Sequence, residues 1–391
     1  MGALRVAIFG QGYVASILAV GLQRIKNGEI GYVGIPLADC LPAKVEDIEL
    51  TTAFDIDVSK VGRRLSEVVR AYWHDGIKFE NDYRVKLGYE DLRGRDVAVD
   101  LEEIVGRLVD EYRQEDADIF VNLITTEKAE PFEDVQALKR AIKENAVDRV
   151  SPAQLYFYSV AEYERPSAFI NCIPSPIAND PACVELARRS KTVVFGDDGA
   201  SGATPLTADL LAHLQQRGRR VLCISQFNIG GNTDFLSLLE PERNASKETT
   251  KSSIVYDILG YDAPHFIKPT GYLKPLGDKK FVAMHIPYIS FNGAEDELII
   301  NARINDSPAL AGLIVDLIRL AKLAIERGEF GTVYPINAFY MKMPGPREAR
   351  AIPKVFAFEL VKGWVYEGAD TGGWKGHEAE TYYDGEAEVR S

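Results

Sequence analysis

The first residues of the chain hold the feature that most restricts its fold. Residues 4–9, LRVAIF, form an apolar run with β-branched residues, which predicts a buried strand of a parallel sheet. A glycine-rich turn, GQGYVA, follows at once and leads into apolar residues with helical spacing. A G-x-G-x-x-A turn between a strand and a helix is typical of dinucleotide binding. We expect Gly10, Gly12, Tyr13 and Val14 to line a cofactor site; a plain glycine-rich turn is the alternative.

An acidic residue at the end of the second strand would bind the ribose of such a cofactor. The run ELTTAFDID supplies Asp55, with Asp57 as the competing candidate, and a loop at 27–48 delays this strand. No arginine follows immediately, so the carboxylate favours NAD over NADP. The alternative is that Asp55 caps a helix that starts near Ser59.

Strands and helices alternate up to residue 198. Three further apolar runs predict buried strands: 118–124, 168–174 and 191–198. Thr125 follows the first of them, at the edge where a doubly wound sheet binds its cofactor. Residues 60–117 are polar and helix-rich, and we expect a peripheral insertion there. The alternation predicts the α/β class, with a Rossmann-type doubly wound parallel sheet.

The segment GDDGASGATP, residues 196–205, ends this predicted sheet. Two adjacent acids at a strand end, followed by a glycine-rich turn that opens a helix, form an active-site arrangement in open α/β sheets. We therefore expect Asp197 and Asp198 at the cofactor site. The alternative is an acidic helix start without a ligand.

The second half of the chain contains pairs of β-rich runs. KKFVAMHIPYISF and DELIINARIND predict antiparallel strands joined by a turn at Asn292-Gly293. Residues 307–328 predict a long apolar helix, with Asp306 and Ser307 as its cap and Gly328 as its end. We predict a cofactor-binding domain over 1–200, an α+β domain over 201–306 and a C-terminal segment over 307–391 that returns to the first domain.

Lys247 and Lys251 lie four residues apart in SKETTKSS. If Ser246 caps a helix, both lysines share one face near its N-terminus, where an anion such as phosphate is already favoured. Like charges at that spacing repel each other, which is a reason to expect a bound anion between them. The alternative is a solvated basic face.

The overall charge limits the partners. Lys and Arg number 45 against 58 Asp and Glu, a net charge of −13, which disfavours nucleic acid and anionic membrane. No apolar run is long enough to span a membrane. The four cysteines and five histidines show no metal-ligand spacing, and reduced cysteines suggest a cytoplasmic protein.

Eight motifs in order resemble the myo-inositol-1-phosphate synthase family, and most of all its shorter prokaryotic forms: VAIFGQGYVAS, FINCIPSPIANDP, GDDGASG, FNIGGNTDFLSL, SKETTKSS, GDKKFVAM, INDSPALAG and FYMKMP. The resemblance implies NAD as cofactor and a homotetramer. It implies that the α+β domain is an inserted catalytic and oligomerisation domain, like the C-terminal domain of glyceraldehyde-3-phosphate dehydrogenase. The implied reaction converts D-glucose 6-phosphate into 1L-myo-inositol 1-phosphate: NAD oxidises C5, the C6 enolate attacks C1, and C5 is reduced again.

The resemblance also implies which residues work. Lys251 would bind the phosphate, Lys247 would handle the C5 hydroxyl proton, Lys342 would assist enolisation and Lys280 would stabilise oxygen charge at C1. Asp278 and Asp306 would orient these lysines, and Asp197 and Asp198 would lie near the nicotinamide. Ser201, Asn232 and Asp234 would lie by the substrate or cofactor.

One position departs from the family pattern. Many members carry a lysine in a GDDxKSG turn, where this chain has Ala200 beside the expected cofactor site. The site lacks that positive charge, and two explanations stay open: a bound divalent or monovalent cation, or an activity other than the usual one. An NAD-dependent dehydrogenase of a phosphorylated or acidic substrate, on the same fold, is the alternative function.

Overall fold

The computed structural model describes residues 2–90, 92–93, 99–232, 235–236 and 254–366, which form two β-sheets with helices around them. The first sheet consists of β1 (Leu4–Phe9), β2 (Ile48–Asp55), β3 (Val85–Leu87), β4 (Ile119–Asn122), β5 (Ser167–Asn171), β6 (Thr192–Phe195) and β12 (Gly331–Thr332). Its order is β12-β6-β5-β4-β1-β2-β3, and every neighbouring pair is parallel. The strand order reverses beside β1, which is where a doubly wound sheet opens a crevice.

Helices cover both faces of this sheet, as parallel strands require. In chain order, the helices with described bounds, including those of the second sheet, are α1 (Tyr13–Lys26), α2 (Leu65–Val69), α3 (Leu101–Glu115), α4 (Val135–Lys143), α5 (Pro152–Ala161), α6 (Pro181–Arg189), α7 (Ala203–Gln215), α8 (254–259), α9 (Asp306–Arg327), α10 (Tyr334–Tyr340) and α11 (Lys354–Tyr366). One core lies between the sheet, α1 and α9; the other lies between the sheet and α3 to α6. Ile8 points into the first core and Phe9 into the second, because side chains alternate along a strand.

The second sheet contains β7 (Arg220–Val221), β8 (Ile224–Gly230), β9 (His265–Tyr272), β10 (Lys279–Ile289) and β11 (Glu295–Asn305). β10 pairs antiparallel with β8 and β11, and β8 pairs parallel with β9. The inner face packs against α7 and α8. The outer face leaves Phe227, Phe266 and Ile299 exposed at 46%, 40% and 66%.

The predicted α/β class with a Rossmann-type sheet is confirmed. The sequence analysis missed three strands, β3, β9 and the short β12. β3 extends the first sheet beside β2, within residues expected to be a peripheral insertion. β9, HFIKPTGY, carries a proline and a glycine, which weaken a strand pattern. Among the described residues, no helix is long and apolar enough to cross a membrane.

The predicted cap of the long helix was wrong. Asn305 occupies the N-cap position of α9, and Asp306 is the first helical residue, with its side chain turned to Lys280. The helix ends at Gly328 with φ 71°, a left-handed conformation that glycine adopts without strain. Along its length α9 packs on β1, β4, β5 and β6, so the chain returns to the first sheet after completing the second.

Candidate active site

A cavity of about 570 Å³ opens at the carboxyl ends of the parallel strands. Loops that follow β1, β2, β4 and β5 form one side, and the turn after β6, the start of α9 and Lys342 form the other. Ligands of open α/β sheets bind at this edge. The cavity therefore brings the glycine-rich turn and residues of the GDDGASG segment to one place.

The glycine-rich turn forms the floor at one end of the cavity. Gly10 has φ 91°, and a Cβ there would lie 2.7 Å from the carbonyl oxygen of Leu123, so only glycine fits. Gly12 has no protein atom within 4 Å of the place of a Cβ, and it lines the cavity. Gly12 is also the N-cap of α1, and no side chain caps this helix. The N-terminal amides of α1 thus begin at the cavity wall, together with Tyr13 and Val14.

Asp55 lies where the sequence places it, at the end of β2 and in the cavity wall. Its Oδ2 accepts hydrogen bonds from the Gln11 amide at 2.9 Å and from Lys60 Nζ at 3.0 Å. Its Oδ1 accepts from the Asp57 amide at 2.9 Å. The alternative role as a cap near Ser59 is wrong, because the next helix, α2, begins only at Leu65.

Lys60 is a site residue that the sequence analysis missed. It lines the cavity, and its Nζ lies 3.0 Å from Asp55 and 3.8 Å from Asp57. Burial is the largest single effect and opposes the charge on this lysine, but Asp55, Tyr72 and Asp57 together outweigh it, and the pKa of Lys60 is raised. Its position five residues after Asp55 was the available signal.

The two adjacent aspartates of the GDDGASG turn point in different directions. Asp198 lines the cavity. Asp197 is fully buried beneath the turn and does not line the cavity. Its carboxylate accepts hydrogen bonds from Asn171 Nδ2, Asn179 Nδ2 and the backbone amides of 177–179. Burial raises its pKa to about 6. Both carboxylates were expected at the cofactor site, but of the two only Asp198 lines the cavity.

Lys342 forms an ion pair with Asp198 in the cavity wall, with 2.9 Å between Nζ and Oδ1. Both side chains are nearly buried, at 11% and 4% exposure. Backbone hydrogen bonds align the two segments: the Lys342 amide donates to the Asp198 carbonyl at 2.7 Å, and the Ala200 amide donates to the Tyr340 carbonyl at 2.8 Å. Ala200 itself is buried and does not line the cavity, although a cofactor contact was expected for it.

A second lysine–aspartate pair lies behind the same turn. Lys280 Nζ is 2.9 Å from Asp306 Oδ2, and Asp306 lines the cavity. Strand alternation explains why Lys280 is buried while Lys279 is exposed. Gly202 lies against the pair with φ 74°; a Cβ there would come within 2.5 Å of Lys280 Nζ and 2.7 Å of Asp306 Oδ1. A Cβ at this position would strain the backbone and push the ion pair aside.

Asp278 forms no ion pair with a lysine among the described residues, although it was expected to orient one. Its carboxylate accepts hydrogen bonds from the Ser307 amide at 2.9 Å, from Ser307 Oγ at 2.6 Å and from Asn232 Nδ2 at 3.2 Å. Asn232 and Ser307 both line the cavity. Asp278 therefore ties the loop after β8 to the first turn of α9.

The remaining predicted residues divide into two groups. Thr125 and Ser201 line the cavity. Lys247, Lys251 and Asp234 lie outside the described residues. Sequence reasoning missed Ser307, Tyr72 and Glu127, which also line the cavity; of these, only Ser307 had a signal, as the neighbour of Asp306.

Comparison with protein families adds independent information. A family model described as myo-inositol-1-phosphate synthase matches residues 202–307. The inositol-3-phosphate synthase of Corynebacterium glutamicum is 30% identical over 383 residues, which cover 93% of this chain and 98% of that protein. The corresponding enzyme of Mycobacterium tuberculosis is 32% identical over 352 residues, covering 87% and 91%.

Solved structures agree with these matches. A myo-inositol-1-phosphate synthase-related protein from Thermotoga maritima superimposes with a TM-score of 0.89 at 53% identity, covering 93% of this chain and 98% of that one. The inositol-3-phosphate synthase of Caenorhabditis elegans shares the fold, with a TM-score of 0.78 at 19% identity over 93% and 86% of the two chains.

Proposed function

Because the chain belongs to the myo-inositol-1-phosphate synthase family, we propose that it converts D-glucose 6-phosphate into 1L-myo-inositol 1-phosphate. The observation that carries the proposal is the cavity itself. One continuous space joins a dinucleotide-type glycine turn to Asp198, Lys342 and Asp306, and Lys280 pairs with Asp306 from behind the cavity lining. In the proposed reaction C5 is oxidised, a proton leaves C6, C6 bonds to C1, and C5 is reduced again without net redox change.

The residues present fit NAD as the cofactor. Gly10 and Gly12 leave the backbone accessible, and the uncapped N-terminus of α1 favours a pyrophosphate. Asp55 would accept hydrogen bonds from the ribose hydroxyls, in place of or beside its bond from Lys60. When bound, NAD would supply the hydride acceptor and donor for C5.

The lysine–aspartate pairs would carry the rest of the chemistry. Lys342 would assist removal of the C6 proton, with Asp198 holding its ammonium at the cavity wall. Lys280 would stabilise negative charge on the C1 oxygen, since a preorganised buried cation acts strongly on developing charge. Lys251 would bind the phosphate and Lys247 would handle the C5 hydroxyl proton; both lie outside the described residues.

The test is incubation with glucose 6-phosphate and a catalytic amount of NAD, followed by phosphorus NMR. The proposal expects an inositol phosphate and no accumulated NADH. One NADH formed for each sugar phosphate consumed would instead establish the alternative, a dehydrogenase of a phosphorylated substrate.

The proposed assembly is a homotetramer. Its support is the outer face of the second sheet, where Phe227 and Phe266 lie 5.6 Å apart between ring centroids and Ile299 is 66% exposed. Exposed apolar patches of this kind mark contact surfaces. Light scattering of the wild type and of Ile299→Glu tests this assignment, and a wild-type monomer would contradict it.

A cation and a cytoplasmic location also stay proposals. Among the residues that the structure describes, no group of three His, Cys, Asp or Glu side chains could hold a metal ion, and no step is assigned to one. Turnover in chelator and with added ammonium or potassium ions tests the cation. The four cysteines are free thiols, which suits a reducing compartment.

A further inference from the structure

Lys354 is a buried amine that the proposed chemistry leaves unused. It is the first residue of α11 and is 5% exposed. Its Nζ donates hydrogen bonds to the carbonyl of Ala338 at 2.5 Å and to that of Met341 at 2.7 Å. These carbonyls lie at the C-terminal end of α10, where helix carbonyls lack partners within the helix and a cation is favoured. Burial, with a smaller effect of the nearby charge of Lys342, lowers the pKa of Lys354 to about 7 against the opposing effect of Asp209.

The carbonyls that Lys354 holds belong to the segment that carries Lys342. Met341 directly precedes Lys342. Residues 340–343 form backbone hydrogen bonds with the GDDGASG turn, including one from the Asp197 amide to the Met343 carbonyl at 2.7 Å. The Lys354 amine therefore fixes the backbone of Met341, and the next residue, Lys342, reaches Asp198 with its side chain.

The backbone of Lys354 is anchored on α7. Asp209 Oδ1 accepts hydrogen bonds from the backbone amides of Lys354 at 2.7 Å and Val355 at 3.3 Å. Because α7 directly follows the GDDGASG turn, Lys354 links both segments that meet at the Lys342–Asp198 pair.

We infer that Lys354 is a positioning residue: its amine holds the Met341 carbonyl and so keeps the Lys342 ammonium directed at the end of the cavity that Asp198 and Asp306 line, here called the reaction end. The inference rests on the proposed function, in which Lys342 assists proton removal from C6. A displacement of about 1 Å at such a group can cost about a hundredfold in rate.

The experiment compares full-length wild type, K354M and K354Q. Methionine keeps most of the side-chain volume and removes both hydrogen bonds, whereas glutamine retains an N–H donor. We expect kcat per folded active site to fall by about tenfold or more in K354M and by less in K354Q. The KM for glucose 6-phosphate and the affinity for NAD should stay close to wild type, since the groups that bind them do not move.

Lys86 provides the matched control. It is a partly buried lysine that pairs with Glu111 and Glu115, outside the cavity. K86M should lose stability and keep its kcat, which separates a loss of folding from a loss of positioning. An active wild type with an equally active K354M overturns the inference alone; if K354M does not fold, a wild-type kcat in K354L, which also lacks a donor, does the same. A wild type that forms no inositol phosphate overturns the proposed function, and the inference with it.

Discussion

The two ends of the cavity are built in different ways. The nucleotide end takes its glycine turn and Asp55 from the first 60 residues, and these follow β1 and β2, which are adjacent parallel strands. The reaction end joins side chains from distant segments: Lys280 pairs with a residue 26 positions away and Lys342 with one 144 positions away. The nucleotide end is thus a local structure, while the reaction end exists only when both sheets and the returning segment are in place.

This difference predicts that substitutions at the two ends have separable effects. Changes at the reaction end should remove turnover and leave NAD binding intact. Changes at the nucleotide end should weaken NAD binding and leave turnover at saturating NAD nearly unchanged.

The largest effect is expected for Lys280→Ala. Loss of the buried cation that we propose stabilises charge on the C1 oxygen should lower kcat by about 10²–10³-fold, while NAD still binds. Turnover by phosphorus NMR and NAD binding by calorimetry measure the two effects. The exposed neighbour variant Lys279→Ala is the control and should keep its rate. A near-normal rate in Lys280→Ala would show that this lysine has no catalytic role.

Lys354 gives the reaction end a pH-dependent stability. Its pKa of about 7 in the fold is below the usual value for lysine, so its contribution is full above pH ~10.4 and is lost as pH falls through 7. Between these values the stability of wild type relative to K354M should rise with pH by up to about 1.4 kcal/mol per unit. Urea unfolding of both proteins from pH 7 to 9.5 measures this slope. A difference that does not change with pH would contradict the buried-amine assignment.

Gly202→Ala tests how tightly the turn packs on the Lys280–Asp306 pair. Gly202 and Gly218 both have positive φ, at 74° and 63°, but only Gly202 lacks room for a Cβ. We expect G218A to lose about 1 kcal/mol of stability from backbone strain. We expect G202A to lose more and also to lose turnover, because its methyl group would displace the ion pair. Thermal unfolding and kcat of both variants check this, and equal behaviour of the two would refute it.

The smallest effect is expected at the nucleotide end. Asp55→Asn should weaken NAD binding by about tenfold, since one charge-assisted hydrogen bond is lost. The more exposed Asp57→Asn, the competing candidate, should change it less. Calorimetric titration with NAD ranks the two variants. A larger loss in Asp57→Asn would transfer the ribose contact to that residue.

Sequence reasoning succeeded where structure depends on neighbours along the chain. The strand, glycine turn and helix at the start of the chain follow from local periodicity and from the backbone freedom of glycine. The α/β class follows from the alternation of such units. Sequence reasoning also assigned Asp55 and Asp198 to one site, because parallel strands end at the same edge of a sheet. The family resemblance added Asp306 and Lys342, and all four residues line one cavity.

What the tertiary structure alone decided is the partner of each polar side chain. Asp197 and Asp198 are neighbours, yet one is held in the core by Asn171 and the other meets a lysine from the returning segment. No periodicity distinguishes them, because the choice depends on which distant backbone amides and side chains surround each carboxylate. Lys354 was invisible for the same reason: its amine acquires a role only when α10 ends beside it. The glycine turn could be predicted from the local sequence, whereas the reaction end of the cavity is formed only by contacts between distant parts of the chain.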